Sequence, residues 1–316
     1  MKRSRVSLVR GANRRMNTYA ALDMVRDDVT PKLRNQVMLK PNFLSSVKQL
    51  ASTHVDAVRG VIDFLLSTPH PPQEILIAEG ANEEHSGQAF ENFGYHALHA
   101  EYDIPIRLID LNQEERWAEV PIILADRREY IVHVPQTILD CPCVISLAIP
   151  KTHDVCVVTL TLKNLIMGTI RKMDRVRMHG FHSHAERELP AEAQTLNINL
   201  IRLAKYLMPD IAVVDGLAGM QGKGPGSGYA LDLGIAAASI DTIAIDAVVA
   251  KVMGFEPFEL GLLHYAHQLG YGVADLDRID VRGVSIDSVQ KSFDPHEATE
   301  MQLHWQVEYA AEYLPA

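Results

Sequence analysis

Short apolar runs alternate with longer amphipathic segments along most of the chain, and this alternation limits the possible folds more than any other feature. The runs are nearly continuous in apolar residues, which is typical of strands covered on both faces. Strands that alternate with helices predict an α/β fold with a doubly wound, largely parallel sheet. The predicted strands are residues 6–10, 37–40, 74–78, 106–110, 143–149 and 211–215, and the clearest predicted helices are 54–66, 195–207 and 242–253.

Two segments interrupt this rhythm within what we interpret as a single unit over residues 1–316. Residues 112–134 contain two short alternating runs, 118–123 and 130–134, which predict a β-hairpin. Residues 169–190 are rich in charge and in histidine and show little apolar periodicity. A loop of that length inside a compact domain is usually functional or disordered, so this segment is a candidate basic lid or small second lobe.

Charge and composition exclude several classes of protein. The 316 residues include 30 Lys and Arg against 40 Asp and Glu, a formal net charge of −10, which disfavours general nucleic-acid binding. No apolar run approaches the roughly 20 residues of a membrane helix, and Arg10 interrupts the N-terminal apolar run where a secretion signal needs its core. Cys141, Cys143 and Cys156 are too few for a disulfide framework. We therefore expect a cytoplasmic protein with no membrane partner.

The stretch from Lys151 to Asn164 places polar side chains on both sides of an apolar run. If residues 155–163 form one strand, alternation puts Thr159, Thr161 and Lys163 on one face. Two hydroxyl groups and an ammonium group in a row would suit carboxylate or phosphate oxygens. The alternative is an ordinary strand, in which the threonines reflect β-propensity and Lys163 reaches solvent.

Basic and histidine side chains are concentrated around this stretch. Residues 151–187 carry seven Lys or Arg against three acidic residues, so an acidic chain contains a locally basic segment that could hold a small anion. His153, His179 and Lys163 are the candidate catalytic groups, because imidazole transfers protons near neutral pH. His179, His182 and His184 are candidate metal ligands without a recognised spacing. The alternative is a solvated flap whose histidines are simply exposed.

A glycine-dense segment follows the predicted strand that ends at Asp215. Glycine loops after strands can cradle anions with backbone N–H groups, and Asp215 would stand at the carboxyl end of its strand. Leu217 and Gly224 occupy positions where a P-loop requires Gly and Ser or Thr, and Ser227 replaces the third glycine of the dinucleotide pattern. We therefore find no ATP or NAD signature, and a flexible connection remains the alternative. The candidate ligand-binding residues here are Asp215, Gly222, Lys223, Gly224 and Gly226.

Two further candidates, Lys40 and Asn42, end the second predicted strand, although Pro-Asn also favours an ordinary turn. They belong to a series of motifs that follow one another along about residues 35–255. The motifs are Lys40-Pro-Asn42, Pro150-Lys-Thr-His153, Thr159-Leu-Thr-Leu-Lys-Asn-Leu165 with Gly168, His179, Val213-Val-Asp-Gly216 with Gly224-Pro-Gly226, and Asp241 with Asp246. In this order they resemble a bacterial and archaeal family, the domain of unknown function 362 family.

The resemblance implies a shared pocket without assigning a role to any residue in it. Some members of the family are fused to ferredoxin-like segments, but this chain has no Cys-x-x-Cys-x-x-Cys run, so we expect no iron–sulfur cluster. The pocket positions that the resemblance implies are Lys40, Asn42, Lys151, His153, Lys163, Asn164, His179 and Asp215.

Two functions remain open at this level. The first is an enzyme that binds a small anionic metabolite through Lys40, Lys151, Lys163 and the glycine segment, with the reaction and any cofactor undetermined. The second is a non-catalytic accessory module of a redox system whose redox partner is a separate protein.

Overall fold

The computed structural model describes residues 3–82 and 86–315. The strands are β1 Ser4–Arg10, β2 Gln36–Lys40, β3 Glu74–Glu79, β4 Ile106–Asp110, β5 Trp117–Ile123, β6 Glu129–Pro135, β7 Val144–Ala148, β8 Lys151–His153, β9 Val157–Thr159, β10 Ile211–Gln221, β11 Tyr229–Ser239 and β12 Ile279–Gly283. The helices are α1 Arg14–Met24, α2 Arg26–Val29, α3 Val55–Leu66, α4 Ser86–Asn92, α5 Leu98–Glu101, α6 Gln136–Leu139, α7 Thr161–Thr169, α8 Arg175–Met178, α9 Ala191–Ala204, α10 Thr242–Val252, α11 Gly261–Gln268, α12 Ile286–Val289, α13 Thr299–Gln302 and α14 Ala310–Tyr313.

A largely parallel sheet forms the centre of the molecule. Its main path runs β12-β1-β11-β10-β7-β2-β3-β4, and β8 joins it by pairing with β10 and β9. The strands from β10 to β4 pair in parallel, whereas β11 is antiparallel to both of its neighbours. The predicted doubly wound α/β fold is therefore correct.

The alternation of buried side chains explains why both faces of the sheet are covered. Along β2, Val37 and Leu39 pack into one apolar cluster with α1 and α3, and Met38 packs into the other with α7, α9 and α10. The same alternation recurs in β3 and β10, as the period of two in a strand requires. A sheet buried on both faces accounts for the near-continuous apolar runs.

The predicted hairpin and the histidine-rich segment both have defined structure. Strands β5 and β6 pair antiparallel as a separate two-stranded sheet, as the alternating runs predict. The segment 169–190 contains α8 and two single 3₁₀ turns, Lys172–Asp174 and His184–Glu186. Among the described residues, no helix combines the length and the apolar character needed to cross a bilayer.

The prediction of one strand over residues 155–163 is wrong. The strand β9 ends at Thr159 and the helix α7 begins at Thr161, so Thr159, Thr161 and Lys163 do not share a strand face. The physical reason is a distant helix cap. Both carboxylate oxygens of Asp246 accept hydrogen bonds at the N-terminus of α7, at 2.9 Å from the Thr161 backbone N and 3.1 Å from that of Leu162.

The prediction of a glycine loop directly after Asp215 is also wrong. The strand β10 continues to Gln221 and pairs with β11, so only residues 222–228 connect the two strands. Glycine is favoured at position 216 of this strand, because the Cβ of any other residue would lie 2.6 Å from the Ile235 side chain. Asp215 is consequently in mid-strand instead of at a strand end.

Candidate functional site

A cavity of about 920 Å³ opens at the carboxyl ends of β2 and β3. The chain passes from β2 outward to β3 and β4, then returns to place β7 on the other side of β2. Such a reversal of strand order is where doubly wound sheets bind ligands. The described lining residues are Asn42, Phe43, Leu44, Ser45, Val47, Lys48, Glu79, Gly80, Asn82, Lys151, His153, Asp154, Thr159, Lys163, Asn164, Met167, Gly168, Lys172, Met173, Arg175, Val176, His179, His184, Arg187, Pro225, Gly226 and Ser227.

A buried network of charged and amide groups forms the base of the cavity. The Lys40 ammonium lies 2.6 Å from Oε1 of Glu79 and 3.3 Å from Oδ1 of Asn164. Asn42 donates to the same Asn164 oxygen at 3.0 Å, and its own Oδ1 accepts from Lys151. The network joins the ends of β2 and β3 to α7 and β8, so each element positions the next.

Lys151 lines the cavity while being almost completely buried. Its ammonium group donates to Oδ1 of Asn42 and to the backbone oxygen of Ala51, with the latter at 3.0 Å. Burial, followed by the charge of Lys163, lowers the pKa of Lys151 from 10.5 to about 7. Lys151 can therefore change its charge near neutral pH.

Lys163 and His153 form a buried pair in the same cavity. The Lys163 Nζ lies 2.8 Å from Nε2 of His153, and His153 Nδ1 lies 2.9 Å from the Val155 N–H and 3.0 Å from Oδ1 of Asp154. Burial, followed by the charge of Lys163, holds the pKa of His153 well below 6.5, so this imidazole is neutral at pH 7. The Val155 N–H donates to Nδ1 and Lys163 contacts Nε2, so the ring is held through both of its nitrogens.

His179 is the second buried imidazole of the cavity. Its Nδ1 lies 2.6 Å from Oε1 of Glu192, and a carboxylate can only accept, so Nδ1 carries the proton and Nε2 keeps a free lone pair. Among the described residues, no group forms a hydrogen bond with Nε2 of His179. Burial lowers the pKa of His179 despite the opposing effect of Glu192, which suits a general base.

Arg187 connects the carboxylates behind the two histidines. Its guanidinium donates to Oδ2 of Asp154 at 2.9 Å and to Oε1 of Glu192. The imidazole rings of His153 and His179 are nearly parallel, with centroids 6.5 Å apart. Asp154, Arg187 and Glu192 thus orient both rings as one unit.

The cavity carries an excess of positive charge. Its described lining contains six Lys or Arg but only two acidic residues, Glu79 and Asp154. Those two acids already pair with Lys40 and Arg187. The buried guanidinium of Arg175 donates instead to a backbone oxygen, that of Gly80, at 2.6 Å. An anion would compensate charge that the described lining leaves unbalanced.

Two buried polar atoms of the lining have no hydrogen-bond partner among the described residues. They are the Oγ1 of Thr159 and the Oε2 of Glu79, on side chains no more than 5% exposed. Buried polar groups are rarely left unpaired, and their occurrence in a cavity indicates a place for ligand or solvent.

Most predicted site residues converge on this cavity, but several do not. Asn42, Lys151, His153, Thr159, Lys163, Asn164, His179 and Gly226 line it, and Lys40 supports it from below. Asp215 lies in mid-strand, 2.6 Å from the Arg14 guanidinium, and Thr161 donates to Asp246. Outside the lining are Asp215, Thr161, His182, Gly222, Lys223 and Gly224.

Several residues of the site were missed by sequence reasoning. The sequence patterns do not single out Glu79, Asp154, Arg175, Arg187 or Glu192 as site residues. Asp154 follows His153 directly, which was an available signal. The contacts made by Arg187 and Glu192 depend on tertiary packing that no local pattern reveals.

The described residues contain no group of three His, Cys, Asp or Glu side chains arranged to hold a metal ion. Of the predicted metal ligands, His179 pairs with Glu192, His184 lines the cavity, and His182 is exposed outside it. Three ligands from the run 179–184 therefore do not converge.

Comparison with known proteins gives a family and two distant similarities. The chain is 25% identical over 238 residues to the thylakoid-associated protein sll1697 of Synechocystis sp. (strain ATCC 27184 / PCC 6803 / Kazusa), covering 75% of this chain and 68% of that protein. A lactate racemase apoprotein from Thermoanaerobacterium thermosaccharolyticum aligns with a TM-score of 0.45 at 12% identity; the alignment covers 76% of this chain but only 55% of that chain. The family model described as "Domain of unknown function (DUF362)" matches residues 37–251, well over half of the chain. The chain therefore belongs to the DUF362 family, as the motifs from Lys40 to Asp246 predict.

Proposed function

We propose that the protein is an enzyme that binds a small organic anion in this cavity and catalyses proton transfer on it. The observation that carries the proposal is the pairing of two neutral imidazoles with unbalanced cations in one cavity. His179 has a free Nε2 lone pair, and Lys163 is a cation held by His153. A base and an acid in one site are the requirement for proton-transfer catalysis.

The anion would be held by Lys151, Lys163 and Arg175, with the Thr159 hydroxyl as a further donor. These groups are buried, and a low local dielectric strengthens their attraction for a carboxylate or phosphate. The described cations do not form a nucleotide-binding loop, and we therefore place the substrate among small carboxylates and phosphates.

The proton would move through His179. Its Nε2 accepts a proton from the bound substrate, and Glu192 stabilises the resulting imidazolium through Nδ1. Lys163 stabilises the negative charge that develops on the substrate, or returns a proton to it, while His153 holds the ammonium group in place. General acid–base groups of this kind contribute roughly a hundredfold to ten-thousandfold in rate.

Binding and chemistry are tested in two steps. A thermal-shift screen against small carboxylates and phosphates should give stabilising compounds for the wild type and none for Lys163→Gln. Each stabilising compound is then incubated with the protein in D₂O, and exchange of its C–H protons is followed by NMR.

His179→Gln should still bind the stabilising compounds but lose exchange, because it lacks the basic Nε2. His182→Gln is the matched control, since this histidine is exposed and outside the cavity. Compounds that still raise the melting temperature of Lys163→Gln would show that the anion does not bind at Lys163. C–H exchange that persists in His179→Gln would mean that His179 is not the base in the reaction.

A further inference from the structure

The lining of the cavity combines deeply buried polar side chains with a set of apolar ones. Lys151, Thr159, Lys163 and Asn164 are no more than 5% exposed and supply the charged and polar part. The lining also contains seven apolar side chains, two of which are Phe43 and Pro225. The other five are here called the apolar rim and are Leu44, Val47, Met167, Met173 and Val176.

Two residues of the apolar rim are strongly exposed for their type. Val47 is 73% exposed and Met173 is 70% exposed, and they belong to different segments of the chain. A single exposed apolar side chain needs no explanation, but several around one cavity mark a binding surface. Methionine adapts its shape to varied apolar groups, and Met167 and Met173 both contribute here.

The size of the cavity also favours a ligand larger than a bare anion. At about 920 Å³ it lies in the upper part of the range of roughly 300–1,000 Å³ typical of sites for drug-sized ligands. An ion such as acetate or phosphate would leave most of that volume, including the apolar rim, in contact with water.

We infer that the ligand is an amphipathic organic anion, whose charged head lies among Lys151, Lys163 and Arg175 and whose hydrocarbon tail covers the apolar rim. This inference rests on the proposed anion site and specifies its ligand class. The head group is a carboxylate or a phosphate, because either supplies the oxygens that these donors accommodate. Binding of the tail removes the apolar surfaces of both the tail and the rim from water, which increases the affinity.

The test is a series of ligands that share a head group and differ in tail length. Dissociation constants are measured by calorimetry at constant ionic strength for n-alkyl carboxylates from acetate to octanoate, and for the corresponding alkyl phosphates. Burial of one methylene group favours binding about fourfold, so the dissociation constant should fall by about that factor at each step until the rim is covered.

Substitutions in the apolar rim distinguish the contribution of the tail to binding from that of the head group. The double variant Val47→Ser/Met173→Ser should bind acetate or methyl phosphate like the wild type but lose most of the gain per methylene. Met16→Ser is the matched control, because this methionine is 68% exposed and does not line the cavity. Its dependence on tail length should equal that of the wild type.

The outcomes distinguish this inference from the proposed function. Short and long anions that bind with equal affinity would overturn the amphipathic ligand and leave the anion site intact. An unchanged gain per methylene in the double variant would overturn the assignment of the tail to the rim. Failure of every carboxylate and phosphate to bind would overturn the inference and the proposed function together.

Discussion

Lys163 Nζ lies 2.8 Å from Nε2 of His153, and both side chains are buried. Lys163 belongs to the first turn of α7, whereas His153 ends the short strand β8. The contact therefore joins a helix to a hairpin, and the charge of Lys163 opposes protonation of His153. A cation at this distance makes a second positive charge on His153 unfavourable.

Removal of the Lys163 charge should raise the pKa of His153. In the wild type, burial and then Lys163 hold this pKa well below 6.5, so the ring is neutral at pH 7. In Lys163→Gln the burial remains and the charge is lost, so the pKa should rise but stay under 6.5. The chemical shifts of the His153 imidazole nitrogens, measured by NMR across pH 4–8, give the pKa of His153 in the wild type and in Lys163→Gln.

Lys172→Gln is the control for this titration, because Lys172 lines the same cavity without contacting His153. Its His153 titration should match that of the wild type. Equal effects of the two substitutions would mean that general cavity charge, and not the Lys163 contact, sets the protonation of His153.

Lys151 should make stability depend on pH in the alkaline range. Its pKa is about 7 in the folded protein and 10.5 for the free side chain, so the unfolded chain binds more protons between these values. The free energy of unfolding should therefore rise with pH through this window, by up to about 1.4 kcal/mol per pH unit. Urea denaturation of the wild type and Lys151→Met at pH 7, 8.5 and 9.5 measures the difference.

Lys151→Met should lack this rise, because methionine does not titrate. The exposed Lys223 provides the control, since it has no part in the cavity, and Lys223→Met should keep the wild-type slope. A slope in Lys151→Met as steep as in the wild type would contradict the assignment of alkaline stabilisation to this residue.

The fold follows from the sequence because its main signals are local. Apolar runs such as those of β2 and β3 are buried on both faces, and the alternation in β5 and β6 reflects a hairpin. Helix α10 begins after Asp241, whose side chain accepts from the Ile243 and Ala244 backbone N–H groups. Each of these features depends on residues close together in the chain.

The site follows from the sequence only in part because its remaining features are long-range. The threonines before Lys163 favour a strand by propensity, and a helix forms there because Asp246 caps it from 85 positions away. The local pattern predicts a strand end at Asp215 because it does not reveal β11, the partner with which β10 continues to Gln221. Tertiary context overrides local preference at these two places.

Gly168 should be required for the buried ion pair beneath the cavity. An added Cβ would lie 2.3 Å from Nζ of Lys40 and 2.7 Å from Oε1 of Glu79, so Gly168→Ala must displace these buried side chains, and we expect it to break their ion pair. Breaking a buried ion pair costs about 3–5 kcal/mol, and we expect the free energy of unfolding to fall by about that amount. Urea denaturation at pH 7 measures it.

Gly87→Ala is the control for this substitution. The nearest atom to a Cβ at Gly87 is 3.9 Å away, and the residue lies in α4, where alanine favours the helix by about 1 kcal/mol. The two substitutions should therefore change stability in opposite directions. A Gly168→Ala protein as stable as the wild type would mean that the Lys40–Glu79 pair can shift without cost.

Asp246 should control both the stability of α7 and the position of Lys163. Its carboxylate accepts from the Thr161 hydroxyl at 2.6 Å and from the backbone N–H groups of Thr161 and Leu162. Asp246→Ala leaves those buried donors without a partner, which should cost about 3 kcal/mol of unfolding free energy. Because Lys163 and Asn164 lie in the first turn of α7, anion binding should weaken as well.

The pH dependence of Asp246→Asn separates the charge of this residue from its hydrogen bonds. Burial raises the pKa of Asp246 from 3.8 to about 6, so the folded protein holds this proton more tightly than the unfolded chain does. The stability contributed by Asp246 is therefore complete below pH 3.8 and is lost as pH rises to 6, by about 3 kcal/mol. The wild type should exceed Asp246→Asn in stability by more at pH 4 than at pH 7, as measured by urea denaturation. An equal difference at the two pH values would mean that the hydrogen bonds at the start of α7 hold the carboxylate charged throughout, and that burial does not dominate its protonation.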